Sequence, residues 1–187
     1  HIYKMDYRKM IRFHQENKAD LTVACMDVPL DEGKRFGIIQ TNEDNRIVEF
    51  HEKPSVPIPS PGNPDVTFAS MGIYLFNTTT LVKAIIDDAK QDTNHDFGKN
   101  IIPDMIHSKR VYAYPFTDEN KSGLNYWRDI GTLDAYWEAN MDLVQISPEF
   151  NLYDKDWPIR TYKAQYPPAK TIYKKDFPGE RTDMILN

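Results

Sequence analysis

Arg46-Ile47-Val48-Glu49-Phe50-His51-Glu52-Lys53-Pro54 is the stretch on which the rest of the chain turns. Residues 46–52 have the composition of an extended strand, and Pro54, which has no N–H to give to a ladder, ends it at Lys53. Upstream, residues 36–41 form a second apolar run, and Asn42-Glu43-Asp44-Asn45 between the two favours a turn, so the pair is predicted to form a hairpin. Downstream, prolines at 54, 57, 59, 61 and 64 rule out a central strand and make residues 54–64 an exposed loop.

Working outward, Asp6 is placed to cap a helix reaching about Lys18, with Tyr7, Met10, Ile11 and His14 on its buried face. Strands follow at 21–28 and 68–76, the second leading into an amphipathic helix over 79–89 with Leu81, Val82, Ile85 and Ile86 inward. Asp96 caps a helix over 97–107, and residues 111–116 form a further strand. Thr132 caps the clearest helix, 132–146, whose inward face is read as Leu133, Tyr136, Trp137, Ala139, Asn140 and Leu143. Strands alternating with helices predict an α/β sheet protein that takes its ligands at the carboxyl ends of strands.

With 187 residues and 40% hydrophobic content, the chain is long enough for one main domain, assigned here to residues 1–147. After Pro148 the composition becomes aromatic and proline-rich, so residues 148–187 are read as a linker leaving the domain. The net charge of −5 disfavours a general nucleic-acid binder, whose nonspecific affinity comes from clustered cations. A single cysteine, Cys25, precludes an internal disulfide and fits a reducing cytoplasm, where it reads as a small buried hydrophobe. No run is apolar enough to span a bilayer and no signal pattern opens the chain, although a chain that begins at His1 is expected to be a fragment.

Lys53 places a compact cation at a strand end, suited to a phosphate, although from residues 50–54 alone a solvated strand-end lysine is the favoured reading. Asp129 lies in Tyr126-Trp127-Arg128-Asp129-Ile130-Gly131-Thr132, on a turn into a helix, which suits either a metal ligand or a capping carboxylate. Arg128 alternates to the other face and is expected to be an ion-pair partner. Gly72 interrupts an apolar strand, which marks close approach of a ligand or a packing accommodation. His95-Asp96 superficially resembles a metal-site dipeptide, but no supporting His/Asp set accompanies it and it is read as structural. A Walker A loop, a dinucleotide glycine fingerprint and a nucleophile elbow are all missing from these residues.

Taken together, several runs resemble the bacterial glucose-1-phosphate adenylyltransferases: residues 1–7, Arg35-Phe36-Gly37, Phe50-His51-Glu52-Lys53-Pro54, residues 69–74, His95-Asp96-Phe97-Gly98-Lys99, residues 126–132, 134–140 and 157–161. They cover nearly the whole chain in order, which makes the match specific. The resemblance implies a Rossmann-like nucleotidyltransferase α/β domain with a mixed sheet, followed by a linker toward a left-handed β-helix. It implies transfer of AMP from ATP to α-glucose 1-phosphate, giving ADP-glucose and pyrophosphate, the committed step of bacterial glycogen synthesis, with Mg2+ as cofactor. By the same match Lys53 would bind the sugar phosphate, Glu52 would accept hydrogen bonds from sugar hydroxyls, and Ser70 and Gly72 would line the sugar pocket. Gly37 would let backbone approach the ligand, Trp127 would shape the site, and Asp129 would help hold the metal.

The resemblance also implies small-molecule allosteric effectors, a homo- or heterotetramer when intact, a cytoplasmic location, and no membrane or nucleic-acid partner. The family's glycine-rich nucleotide loop and a second metal-binding aspartate would lie upstream of His1, so the isolated chain is expected to be inactive. Two other readings stay open: a sugar-phosphate nucleotidyltransferase with another nucleotide or sugar, and a non-catalytic regulatory subunit of the same fold.

Overall fold

Asp6 opens the first helix as the sequence implies: its backbone is extended and its carboxylate accepts the Arg8 N–H at 3.0 Å. The computed structural model describes residues 1–118, 125–152, 154–160, 165, 170–172 and 184–186. They belong to two compact units, His1–Phe150 and Asn151–Asn187. In chain order the first unit contains β1 (Ile2–Tyr3), α1 (Tyr7–Glu16), β2 (Leu21–Pro29), a 3-10 turn (Leu30–Arg35), β3 (Gly37–Thr41), β4 (Ile47–Glu52) and β5 (Val66–Phe76). It continues with α2 (Thr78–Asp88), a π-helical turn (Phe97–Ile101), α3 (Ile102–Ser108), β6 (Val111–Pro115), β7 (Trp127–Arg128) and α4 (Leu133–Leu143). In the second unit, β8 (Lys170–Ile172) pairs antiparallel with β9 (Met184–Leu186). Most of the expected linker at 148–187 lies outside the described residues.

The main sheet has the order β4-β3-β5-β2-β6 and is mixed: β2 runs parallel to β6, and every other pairing is antiparallel. The predicted hairpin is present as β3 and β4, with the Asn42 side chain accepting the Asp44 and Arg46 N–H groups in the turn. Residues 21–25 of β2 are all buried, because the strand is flanked by neighbours and covered on both faces. One face presents Leu21, Val23 and Cys25, with Ile39, Ile47 and Phe50, to the Ile101–Ile106 side chains. The opposite face presents Ala24, Val28, Ile38, Ala69 and Met71 to Met10 of α1, Phe36 and Trp127. The result is a three-layer α/β arrangement.

Between Val23↔Tyr74 and Cys25↔Ser70 the register of β5 against β2 shifts, so Met71, Gly72 and Ile73 stand opposite Ala24 alone. Gly72, at the middle of this bulge, has φ +70, a backbone state that side chains with a Cβ rarely adopt. A buried network joins the layers near α1: Thr22 Oγ1 donates to His14 Nδ1 (2.8 Å), His14 Nε2–H reaches Asn77 Oδ1 (3.3 Å), and Asn77 Nδ2 donates to the Ala19 carbonyl (2.8 Å). Because Asn77 Oδ1 only accepts, Nε2 carries a proton, and in the neutral ring Nδ1 then accepts from Thr22.

Three helix faces differ from the sequence reading. On α1, Met10 and His14 are buried, but Tyr7 and Ile11 face outward, Tyr7 bonding the Tyr3 hydroxyl at 2.7 Å. On α2, Ala84 packs against the core, whereas Val82, Ile85 and Ile86 are exposed. On α4, only Ala139 is buried; Leu133 is 87% and Trp137 62% exposed, Tyr136 is also exposed, and Asn140 donates to the Tyr136 carbonyl. Hydrophobic periodicity locates an apolar stripe, but the stripe is buried only where another layer lies over it. The predicted helix over 97–107 is present as a π turn running into α3, with Asp96 capping through the Lys99 N–H and Pro103 in the first turn of α3.

Candidate functional site

Glu52 ends β4 opposite Gly37, which begins β3. A Cβ on Gly37 would collide with the Phe50 ring and come within 2.9 Å of Glu52 Oε2, and a Cβ on Gly98 would run into the same carboxylate. Two glycines from distant parts of the chain therefore leave the room that the Glu52 carboxylate fills. Burial pushes the Glu52 pKa above its usual range; Lys53 and Lys99 pull it back down and Asp96 adds to the rise. Because the sheet is mixed, this carboxyl end of β4 is also the amino end of β3, so a single carboxyl edge does not describe the site.

Lys53 follows with φ +49, in the left-handed region and directly before Pro54, where an extended conformation is normally preferred. Its N–H extends the ladder to the Phe36 carbonyl at 3.0 Å, and its ammonium stands exposed, 3.9 Å from Glu52 Oε1. Ser70 is buried on β5, with β3 between it and β4, and its Oγ accepts the Gly72 N–H at 3.2 Å. Burial raises the Tyr74 pKa, the Ser70 bond opposing it, and the Tyr74 ring stacks on Phe97 at 5.9 Å between centroids.

Asp129 follows β7, which pairs with β1 in the register Ile2↔Arg128 and Tyr3↔Trp127. Its two oxygens each face a different base: Oδ1 is 3.5 Å from His1 Nε2, and Oδ2 is 3.6 Å from Arg35 Nη2. His1 is oriented by its other nitrogen, Nδ1, which donates to the Met71 carbonyl at 3.0 Å, and its ring lies against the Gly72 bulge. Trp127 is buried between His1 and Phe36, edge-on to both at 5.0 and 5.2 Å. Its indole N–H has no hydrogen-bond partner among the described residues, an orphaned buried donor of the kind that marks a place for an acceptor. Arg128 points away, as its alternation requires, and pairs with Asp142 of α4 at 3.0 Å.

All seven residues singled out from the sequence belong to this arrangement. Register and contact run from Lys53 and Glu52 through Gly37 and Phe36 to Trp127, and from Ser70 and Gly72 through His1 to Asp129. Four further members had no role assigned from sequence: His1, Arg35, Gly98 and Lys99. Each stands inside a run that carried the family resemblance, which was the signal available. His95 behaves structurally, its Nδ1 2.8 Å from Asp88 Oδ2 and the carboxylate lowered in pKa by His95 and Thr93. A cavity of about 570 Å³ between α2 and α3 shares Lys99 with this arrangement and is otherwise bordered by Lys83, Asp87, Asp88, Asp104 and Lys109, whose charges are mixed. Among the described residues no three His, Cys, Asp or Glu side chains form a metal-binding group, and no helix is long and apolar enough to cross a membrane.

The sequence profile of the family described as Nucleotidyl transferase matches residues 1–146. The chain is similar to the glucose-1-phosphate adenylyltransferase of Rhodopirellula baltica, 51% identical over 191 residues that cover 100% of this chain and 43% of the relative. It is also similar to the protein of that name from Nitrosococcus oceani, 52% identical over 190 residues, covering 100% of this chain and 45% of the relative. The protein of that name from Methylococcus capsulatus is 52% identical over 177 residues, 94% of this chain and 42% of the relative. The chain thus spans less than half the length of these curated relatives.

Proposed function

The chain belongs to the nucleotidyl transferase family, and we propose that it supplies the sugar-phosphate side of an enzyme that transfers AMP from ATP to α-glucose 1-phosphate, releasing pyrophosphate. The observation that carries this reading is Glu52, a carboxylate wedged between Gly37 and Gly98 beside the exposed Lys53 ammonium. A partly desolvated carboxylate accepts hydroxyl hydrogen bonds strongly, and a lysine at its side supplies a counter-charge for a phosphate. In this reading Ser70 and the Gly72 bulge would line the sugar side of the site, and the orphaned Trp127 N–H offers a donor to a ligand oxygen. In this reading the sugar phosphate oxygen attacks the α-phosphorus of ATP while Lys53 and Glu52 hold the nucleophile in line.

Mg2+ fits Asp129. The residue offers hard oxygens, is partly exposed, and among the described residues meets Arg35 at 3.6 Å and His1 at 3.5 Å, both beyond close hydrogen-bond distance. Magnesium keeps several waters and binds through one or two carboxylates together with substrate phosphates, so one carboxylate on this chain suffices as its share. When bound, the cation offsets negative charge on the phosphoryl groups. Allosteric effectors, a tetrameric assembly and a cytoplasmic setting belong to the same proposal as what the family resemblance implies.

The alternative of another nucleotide or sugar is tested together with the main reading. The full-length polypeptide that carries this chain is assayed for pyrophosphate release with each nucleoside triphosphate, Mg2+ and a panel of sugar 1-phosphates. Preference for ATP and glucose 1-phosphate supports the proposal; preference for another pair replaces the substrate, and no turnover with any pair favours the non-catalytic subunit. The excised 187-residue chain is expected to show no turnover in the same assay.

A further inference from the structure

Arg35 is the last residue of the 3-10 turn Leu30–Arg35, and its neighbour Phe36 joins both halves of the site. The Phe36 ring lies under the Arg35 guanidinium at 5.8 Å and edge-on to Trp127, while the Phe36 carbonyl accepts the Lys53 N–H. The guanidinium thus lies on the ring of the residue whose carbonyl takes the Lys53 N–H, on the Asp129 side of the site. Its pairing with Asp129 is loose: 3.6 Å, beyond hydrogen-bond distance, with the Arg35 side chain 46% exposed. Arg128, one position before Asp129, is different, since it hydrogen-bonds Asp142 through Nε at 3.1 Å and pairs through Nη2 at 3.0 Å. One arginine is locked into the fold, and the other is stationed at the site with its donors largely unspent.

A carboxylate that takes up a divalent cation no longer needs an arginine, and an arginine released beside a phosphate has a planar fork that matches phosphate oxygens. We infer that Arg35 is a substrate-binding residue that pairs with Asp129 before the cation arrives and passes to the phosphoryl oxygens of the anionic substrate once the cation holds Asp129. Two consequences separate this role from packing. Without the guanidinium charge, the site should hold phosphate more weakly and a bare divalent cation more tightly, because Asp129 has lost a competitor. A purely structural arginine would move neither in that opposed way. The inference rests on the reading of Lys53 and Asp129 given above.

The test uses the full-length polypeptide and three proteins: wild type, Arg35→Gln and Arg35→Lys. Gln keeps a polar stem over Phe36 without the charge, and Lys keeps the charge without the fork. Glucose 1-phosphate and inorganic phosphate are titrated by calorimetry in saturating Mg2+ and without nucleotide, and Mn2+ binding to the phosphate-free protein is followed by loss of the free-ion EPR signal. Arg35→Gln should weaken both phosphate ligands by about tenfold, the scale of one charge-assisted hydrogen bond. It should tighten Mn2+ by about threefold, the scale of a screened surface pair, and Arg35→Lys should fall between. Phosphate affinities equal to wild type, or Mn2+ affinity unchanged or reduced, would overturn the assignment. A wild type that binds inorganic phosphate but not glucose 1-phosphate refutes the proposed substrate instead, and the inorganic phosphate and Mn2+ titrations still decide the role of Arg35.

Discussion

Glu52 and Asp129 are acids of one site held in opposite ways. Glu52 is fixed by shape: it occupies space that Gly37 and Gly98 leave open, and burial shifts its pKa upward. Asp129 is held loosely, with Arg35 at 3.6 Å and His1 Nε2 at 3.5 Å, an ion pair when His1 is protonated, and its neighbouring Gly131 leaves it more room than Gly98 leaves Glu52. A pocket for neutral hydroxyls gains from a preformed, partly dry acceptor, because the ligand then replaces little ordered structure. A cation site gains from partners that leave readily, because every ion pair must be broken before the metal can bind. The contrast teaches that, under the proposed assignment, the sugar half would be built in advance and the cation half built to exchange.

The sharpest way to break that contrast is Asp129→Asn in the full-length protein. Asn keeps the shape and removes the charge a hard cation needs, so turnover should fall by roughly a hundredfold or more, on the scale of losing one electrostatic element of a transition-state site. The melting temperature should stay nearly unchanged, because the two long ion pairs contribute little. If turnover survives while the melting temperature drops, Asp129 is a structural group and the contrast disappears.

Lys53→Ala comes next in size. Loss of one charge-assisted phosphate contact costs roughly 1.5–3 kcal/mol, and it should raise the Michaelis constant for glucose 1-phosphate far more than that for ATP. Removing an exposed side chain at φ +49 leaves the local backbone strain in place, so stability should change little. Equal effects on both substrates would take Lys53 away from the sugar side of the comparison.

Much of this arrangement was legible in the chain. The caps Asp6, Asp96 and Thr132, the Asn42 turn and the proline loop are local chemistry, and each donor or acceptor lies within four residues of its partner. Lys53 stood out for the same reason, since Pro54 ends its strand, whereas Glu52 came only with the family resemblance. What stayed hidden depends on tertiary neighbours. Nothing near residue 98 in the sequence says that its missing side chain makes room for Glu52, and nothing near residue 129 names Arg35 and His1 as its partners. The inward faces read for α2 and α4 failed because a stripe of Val82, Ile85 and Ile86, or of Leu133 and Trp137, does not state which layer covers it.

Gly98→Ala probes the cradle directly. A methyl group there overlaps the Glu52 carboxylate, and overpacking of this kind costs roughly 1–3 kcal/mol unless the carboxylate moves. The expected result is weaker glucose 1-phosphate binding, a modest loss in melting temperature, and unchanged Mn2+ affinity. Mn2+ affinity that falls in step with sugar binding would mean that the two acids are mechanically coupled and not built independently.

The smallest effect expected is on stability, from Glu52→Gln, and its sign is diagnostic. The Glu52 pKa is raised in the folded protein because burial disfavours the charged form, so above that raised value the folded state keeps an ionised group it holds less well than the unfolded chain does. Replacing it with a neutral isostere should therefore raise the melting temperature at neutral pH. As pH falls through the raised folded value and then below the unfolded one, the wild-type carboxyl becomes protonated and the advantage of Gln should vanish. Glucose 1-phosphate binding should be weakened at neutral pH, since Gln offers one carbonyl oxygen where the carboxylate offers two charged ones. Melting curves of both proteins across the acid-to-neutral range decide the matter. A Gln variant that is less stable at neutral pH, with the deficit closing on acidification, would show that the charged Glu52 stabilises the fold and that its cradle is an ion-pair site like that of Asp129.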